Sequence, residues 1–194
     1  MNSKLQAILS KGAVEAAPLL LGWIIARKLP EGIVKLKIVE TEAYHQDDPA
    51  SHSYRGMTKR NQPMFQAPGT IYVYFTYGMH FCMNIVCGPE GKGEAVLIRA
   101  AEPLAGIAIM QENRGVVKDL HKIASGPAKL TQALGIKDTA LSGKKLNTLS
   151  IWLEPPDEKI DQNNIITSPR VGIREAITRP WRFYIKDNPF VSKV

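Results

Sequence analysis

Cysteine is scarce: Cys82 and Cys87 are the only two, both fall in one predicted strand region, and neither belongs to a C-x-x-C or has a second pair beside it. A disulfide scaffold and a structural zinc site are thereby excluded, and a reducing cytoplasmic setting is expected. Long apolar runs are also missing. The most apolar segment, "AVEAAPLLLGWIIARKL", is interrupted by Glu15 and Pro18 and is too short to span a bilayer. The basic region and small-residue cleavage site of a signal peptide are not found, so the segment reads as core-packing helix and no membrane partner is expected. There is no G-x-G-x-x-G and no P-loop, which argues against a nucleotide cofactor. His52, His80 and His121 show no H-x-x-x-H or H-x-x-E-H spacing, and no internal repeat or low-complexity tract occurs.

Acidic residues are outnumbered. Against 18 Asp and Glu stand 25 Lys and Arg, a net charge of +7, with a pI near 9.4. Such a balance favours polyanionic partners, nucleic acid first, although a merely basic protein has the same composition. Hydrophobic residues at 44% and charged residues at 22% exclude a disordered or fibrous chain. The 194 residues suit one compact domain, residues 1–194, able to bury roughly 70% of the unfolded surface.

Along the chain, residues 3–28 read as helix, with Pro18 starting a second segment or kinking the first. A strand from about Ile33 to Tyr44 follows, then a polar stretch, "HQDDPASHSYRGMTKRNQPM", that reads as a long surface loop of the functional kind. "GTIYVYFTYGMHFCMNIVC" predicts a β-hairpin turning near Thr76 to Met79. "EAVLIRAAEP" predicts a strand, "PLAGIAIMQENR" a helix, and "SGPAKLTQALGI" a short helix capped by Ser125 and ending near Gly135. "KKLNTLSIWLE", "IITSPRVGI" and "RPWRFYIKDNPFVS" read as strands and extended segments. Strands mixed with a few helices, without regular βαβ alternation, define an α+β fold on a mostly antiparallel curved sheet, flanked by helices and carrying a protruding hairpin.

Counting in twos along the first strand places Leu36 and Ile38 on one face and continues that face into Glu40, Glu42 and Tyr44. Unpaired buried carboxylates are costly, so the strand should pass from interior wall to polar cleft. Glu42 is a candidate general base if burial raises its pKa, or else a structural carboxylate paired with an arginine. Glu40 reads as the structural member, with Arg99 a partner for one of the two. "EAYH" spells Glu-x-x-His, but on a strand those positions face opposite sides, and no metal is expected. Tyr77 at the hairpin tip can act as an aromatic wedge between base pairs or fold back onto its own domain; Tyr72 and Tyr74 lie close by in the sequence. Arg55, Lys59 and Arg60 can contact phosphates or be solvated loop charges, as can Arg179, Arg182 and Lys186. A basic chain with a carboxylate beside tyrosines, a basic loop and an aromatic-tipped hairpin suits an enzyme acting on an extruded nucleobase.

"IVETEAY", the "SH" of "ASHS", "TIYVYFTYGMHFCMN", "VLIRAAEP", "SGPAKLTQALGI", "RVGI", "RPWRFYI" and "PFVS" occur in the order found in the alkyladenine (3-methyladenine) DNA glycosylase family, which the chain closely resembles over about residues 13–194. The resemblance implies a monofunctional glycosylase, without metal or cofactor, that releases 3-methyladenine, 7-methylguanine, hypoxanthine or ethenoadenine from double-stranded DNA. By position it makes Glu42 the base that activates water, with Arg99 and the Val171 carbonyl holding that water. Tyr44, His52 and Tyr74 would stack on the flipped base, while His52 and the Ala50 backbone read its edge. Asn84 would sit where a guanine amino group clashes, and Tyr77 would fill the vacated gap in the duplex. The loop between Tyr44 and His52 is one residue shorter than in mammalian members, His45 and His80 replace apolar or aromatic residues, and no long N-terminal extension is present, as in a minimal bacterial type. A monomer in the cytoplasm, associated with the nucleoid if bacterial, is expected. The competing readings are a noncatalytic duplex-binding damage sensor of the same fold and a hydrolase of free nucleosides.

Overall fold

A computed structural model describes residues 2–76, 78–147 and 150–192. Two short helices open it, α1 (Ser3–Leu9) and α2 (Ala13–Leu19), separated by the turn at residues 10–12. They bury Leu5, Ile8 and Leu9 on the first and Ala13, Ala16 and Ala17 on the second, as one-sided apolar spacing requires. Pro18 falls in the last turn of α2, so the break lies before the position expected from the sequence. The helical expectation also fails after residue 20. Gly22 takes a φ of +84°, where an added Cβ would approach Ile160 Cγ1 at 2.9 Å, and its N–H donates to the Ile38 carbonyl at 2.8 Å. The chain thereby enters β1 (Ile24–Leu29) instead of continuing the helix.

The spine of the molecule is β2 (Gly32–Tyr44), which pairs β1 along its first half and β8 (Arg182–Ile185) along Glu40 to Glu42. Its other edge pairs β5 (Ala95–Ala105). Beyond β5 lie β4 (His80–Val86) and then β3 (Ile71–Thr76); β1 pairs β6 (Ile151–Glu154), and β7 (Ile165–Ser168) pairs β8. These eight strands form one curled sheet, every pairing between them antiparallel. The α+β expectation is therefore met. β3 and β4 run in register from Ile71↔Ile85 to Thr76↔His80, and Tyr77, between them, lies outside the described residues.

Helix α2 packs on β2, α4 (Pro127–Ala133) packs on β4 and β5, and α3 (Ile107–Asn113) lies against α4. Position Gly126, not Ser125, precedes α4, without a side-chain cap; Ser125 instead bridges to Ala100. The end of α4 is as expected: Gly135 N–H donates to the Gln132 carbonyl and Ile136 N–H to that of Thr131, each at 2.8 Å. On the helix-covered face of the sheet Val73, Met83, Ile85, Val96, Ile98, Leu36 and Ile38 form a continuous core, each large side chain contributing about 1.5–3 kcal/mol by its burial. Alternation sends Tyr72, Tyr74, Cys82, Asn84 and Leu97 to the opposite face.

The stretch 45–64 is not the solvated loop that its composition suggests. Asp48, Ser51, Ser53 and Asn61 are buried, and their side chains replace missing strand and helix hydrogen bonds. Ser53 Oγ donates to the Gly93 carbonyl at 2.6 Å, and Asn61 Nδ2 donates to the carbonyls of His52 at 2.7 Å and Gly56 at 3.0 Å. Gly93 permits this approach, since a Cβ there would meet Ser53 Cβ at 2.4 Å and Phe65 Cζ at 2.8 Å. The segment ends in a 3-10 turn, Gln62–Phe65, whose Met64 and Phe65 cover Tyr72 and Ala95 on the open face of the sheet.

Where β2 exchanges β1 for β8, its pairing with β5 slips twice. Ile38 faces Ala101 and Glu40 faces Ala100, leaving Val39 as an extra residue; Thr41 then faces Ile98, leaving Arg99 as an extra residue on β5. Paired bulges of this kind re-aim side chains without ending a sheet. Beyond them Thr41 and Ala43 turn to the helix side, where Thr41 Oγ1 donates to the Ala17 carbonyl at 2.9 Å and Ala43 joins the core. Glu40, Glu42 and Tyr44 consequently share the open face, opposite to Leu36 and Ile38. The uninterrupted count in twos is corrected by one residue.

Candidate active site

The open face forms a cleft of about 390 Å³. Glu42 and Tyr44 come to it from β2, Tyr74 from β3, Cys82 and Asn84 from β4, and Leu97 and Arg99 from β5. Ala50 and His52 arrive on the folded loop, and residues 171–175 close the remaining side. The sequence-predicted residues Glu42, Tyr44, Ala50, His52, Tyr74, Asn84, Arg99 and Val171 thus line a single cavity.

Glu42 is buried and held from three directions. Its Oε1 accepts the Val171 N–H at 2.8 Å and lies 3.4 Å from Arg99 Nη1, and its Oε2 accepts the Tyr44 hydroxyl at 2.9 Å. The contact seen from Val171 is made by its N–H, whereas the resemblance implies a role for its carbonyl. Burial raises the Glu42 pKa, more than Arg99, the Val171 N–H and the Tyr44 hydroxyl lower it; Glu40 adds to the upward push. Tyr44 is driven well above its ordinary value, by burial first and then by the Glu42 charge. A desolvated carboxylate of this kind can take a proton from water and can stabilise a positive charge next to it.

Glu40 has the structural surroundings expected of it. Its Oε1 accepts from Arg182 Nε at 2.6 Å and Ser192 Oγ at 2.9 Å and pairs with Arg99 Nε at 2.8 Å, and its Oε2 accepts from Ser192 N–H at 2.8 Å. Arg182 is therefore a buried counterion and not a phosphate ligand. Arg99 serves both carboxylates.

The aromatic wall is ordered by contacts among its own rings. Tyr72 and Tyr74 stack with centroids 5.3 Å apart, and His52 meets Tyr74 edge-on at 4.6 Å. His52 Nδ1 and the Tyr72 hydroxyl are 3.0 Å apart. Burial of part of the His52 ring, with Arg60 nearby, lowers its pKa, which leaves it neutral at physiological pH. Asn84 is buried on the cleft floor, and its Oδ1 has no hydrogen-bond partner among the described residues. The Ala50 N–H is engaged by Asp48 Oδ1 at 3.2 Å.

Several residues of the site receive no role from the sequence motifs. Arg170 forms a fully buried ion pair with Asp48, donates from Nη1 to the Ala43 carbonyl at 2.9 Å, and lies over the rings of Tyr44 at 4.7 Å and Trp181 at 5.3 Å. It ties the loop bearing His52 to the segment bearing Val171. A paired aspartate and arginine 122 residues apart give no local signal. Of the basic residues expected at phosphates, Arg55 and Lys59 are exposed, while Arg60 donates from Nη2 to the Phe75 carbonyl at 2.8 Å. Arg179 lies 4.7 Å from the Trp181 ring and 3.7 Å from Asp48 Oδ1, and Lys186 is exposed. Among the described residues no group of three or more His, Cys, Asp or Glu could hold a metal, and no helix is long and apolar enough to cross a membrane.

Known proteins match this sequence over nearly its whole length. The sequence model of the family described as "Methylpurine-DNA glycosylase (MPG)" matches residues 7–189. The chain is 51% identical over 197 residues to the "Putative 3-methyladenine DNA glycosylase" of Francisella tularensis subsp. tularensis, with all of both chains covered. Proteins of the same name match at 49% over 174 residues in Carboxydothermus hydrogenoformans, 90% of each chain, and at 45% over 188 residues in Rhodopseudomonas palustris, 91% of this chain and 89% of the relative. These matches make the protein a DNA glycosylase. More narrowly, the chain belongs to the methylpurine-DNA glycosylase family.

Proposed function

We propose that this enzyme hydrolyses the N-glycosidic bond of alkylated or deaminated purines in duplex DNA, with 3-methyladenine, 7-methylguanine, hypoxanthine and ethenoadenine as the substrate class. The observation that carries the proposal is the buried Glu42 carboxylate, its pKa raised, at the floor of an aromatic cleft. The damaged nucleotide leaves the stack and enters between Tyr44 on one side and Tyr74 with His52 on the other, Tyr77 filling the gap behind it. Water bonded to Glu42 attacks the anomeric carbon as the bond to the base breaks; its proton passes to the carboxylate and the bonding pair leaves with the base. Positive charge building on the sugar is stabilised by the same anion. Arg99 and Val171 orient Glu42 and the water, the Ala50 backbone and His52 address the base edge, and Asn84 sits where a guanine amino group clashes, which disfavours unmodified guanine, whose bond to the sugar is far less labile than that of cationic 7-methylguanine. Arg55, Lys59 and Arg60 lie toward the phosphates. The chain acts as a monomer, with residues 1–194 as one domain, in the cytoplasm at the nucleoid, and needs no cofactor for this chemistry.

Cationic bases leave as neutral molecules and need no acid. Hypoxanthine is neutral and must gain a proton, which neither His52, neutral at physiological pH, nor Tyr44 is set to supply. Single-turnover release from duplexes carrying each of the four lesions, at fixed salt because phosphate binding depends on it, tests both points. Release of 7-methylguanine should rise with pH and then level, whereas release of hypoxanthine should fall again at high pH. Tight lesion binding without release would overturn the catalytic assignment in favour of a damage-binding module, and faster release from free nucleosides than from duplex would overturn the DNA substrate.

Tyr77→Ser tests the wedge. Loss of one stacked aromatic costs about 1–3 kcal/mol, so lesion-duplex affinity should fall by about five- to 150-fold while the single-turnover rate on 7-methylguanine at saturating enzyme changes little. Equal affinity of the two proteins would remove Tyr77 from the duplex.

A further inference from the structure

Ser192 lies far from the cleft residues in sequence, in no motif to which chemistry was assigned, yet it is buried inside the charge network that holds Arg99. The chain leaves β8, turns through residues 186–191, and returns Ser192 against β2. There its N–H donates to Glu40 Oε2 at 2.8 Å and its Oγ donates to Glu40 Oε1 at 2.9 Å. Arg99 Nε lies 2.8 Å from Glu40 Oε1 as an ion pair and donates its hydrogen to Ser192 Oγ at 3.2 Å. Arg182 Nη2 donates to the Ser192 carbonyl at 3.3 Å. One residue thus touches the carboxylate and both guanidiniums, and the Arg99 guanidinium is the group that continues to Glu42, at 3.4 Å.

We infer that Ser192 is a positioning residue of the active site: its hydroxyl divides Arg99 between Glu40 and Glu42 and thereby fixes how far the guanidinium reaches toward the proposed base. The inference rests on the reading of Glu42 as that base. Without the hydroxyl, Glu40 loses a donor and leans on Arg99, and the Arg99 Nε hydrogen, now without Ser192 Oγ, turns to Glu40. Both changes draw the guanidinium toward Glu40. The other groups facing Glu42 stay in place: Tyr44 and Glu40 from β2, Cys82 from β4, the Val171 N–H, and Arg170 behind the Tyr44 ring. Glu42 then loses part of the one cation that opposes its burial.

Ser192→Ala keeps the backbone N–H and carbonyl contacts and removes the hydroxyl alone. Measured on a 7-methylguanine duplex, its single-turnover rate at neutral pH should fall by about ten- to a hundredfold, the acidic limb of its rate profile should move to higher pH, and its duplex affinity should not change. Ser192→Thr, which restores the hydroxyl, should bring the limb back. A wild-type limb in Ser192→Ala overturns the inference, whether the rate is intact or uniformly reduced. Should the alanine variant be unfolded, Ser192→Cys, nearly isosteric and a weaker donor, gives the same test: a smaller displacement in the same direction supports the assignment and none overturns it. Excision lost in Glu42→Gln with an unmoved limb in Ser192→Ala removes only Ser192; excision retained in Glu42→Gln removes the base itself.

Discussion

Glu42→Gln is expected to bind lesion duplex as the wild type does and to release 7-methylguanine roughly 10²- to 10⁴-fold more slowly, the range over which a positioned acid or base contributes. The substitution is nearly silent in shape. An amide oxygen still accepts the Val171 N–H, which now comes in at 2.8 Å, and the amide group still meets the Tyr44 hydroxyl, now at 2.9 Å. What disappears is the negative charge and the proton acceptor. Single-turnover release with enzyme in excess, beside binding to the same duplex, separates these losses from a failure to capture the base. Release at near wild-type rate would end the assignment of Glu42.

The same variant should fold at least as stably as the wild type near neutral pH. Burial raises the Glu42 pKa in the folded protein, so folding favours the protonated acid. That stabilisation is complete below the ordinary glutamate value and is lost as pH rises through the raised one. Glutamine mimics the protonated acid at every pH. Its advantage should appear above that window and vanish below it, with each ~1 kcal/mol visible as about 2–4 °C in a chain of this length. Stability stored against function in this way marks a catalytic carboxylate more sharply than burial alone.

Much of this cleft was legible in the sequence because its walls are strands. Tyr74, Cys82 and Asn84 alternate on β3 and β4 with the core residues Val73 and Met83, and a period of two is visible without a structure. The same period misplaced Glu42. Val39 and Arg99 are each an extra residue in the β2–β5 ladder, and a bulge leaves no composition signal in a strand of ordinary residues. Segment 24–29 was misread as helix because "WIIARKL" is apolar at both periods; pairing with β2 and β6, fixed by long-range contacts, decided it. Asp48, Arg170 and Ser192 hid their roles for a related reason, although the last two stand in the blocks "RVGI" and "PFVS". Each is buried by a partner distant in sequence, and polar residues in turn-rich segments look solvated until that partner is known.

Glu40→Gln should be the most destabilising conservative change at the site, costing about 3–5 kcal/mol, the usual result of removing one partner from a buried ionic group. The amide cannot be fitted in either orientation. With its NH₂ at the Oε1 position it faces donors from Arg99, Arg182 and the Ser192 hydroxyl, and with its NH₂ at Oε2 it faces the Ser192 N–H. Two buried guanidiniums would then share the single carboxylate of Glu42, and only Arg99 reaches it in the native arrangement. Thermal melting should record a fall of about 6–20 °C, at 2–4 °C for each kcal/mol. The surviving folded fraction carries the second signature. Arg99, released from Glu40, can turn wholly toward Glu42, and the repulsion from Glu40 that raises the Glu42 pKa is gone. The acidic limb of the rate profile should therefore move to lower pH, opposite to its movement in Ser192→Ala. A melting temperature within about 1 °C of the wild type, less than the shift that ~1 kcal/mol produces, would show that Glu40 does not bind the two arginines as a unit, and a limb displaced upward would show that Arg99 follows neither carboxylate.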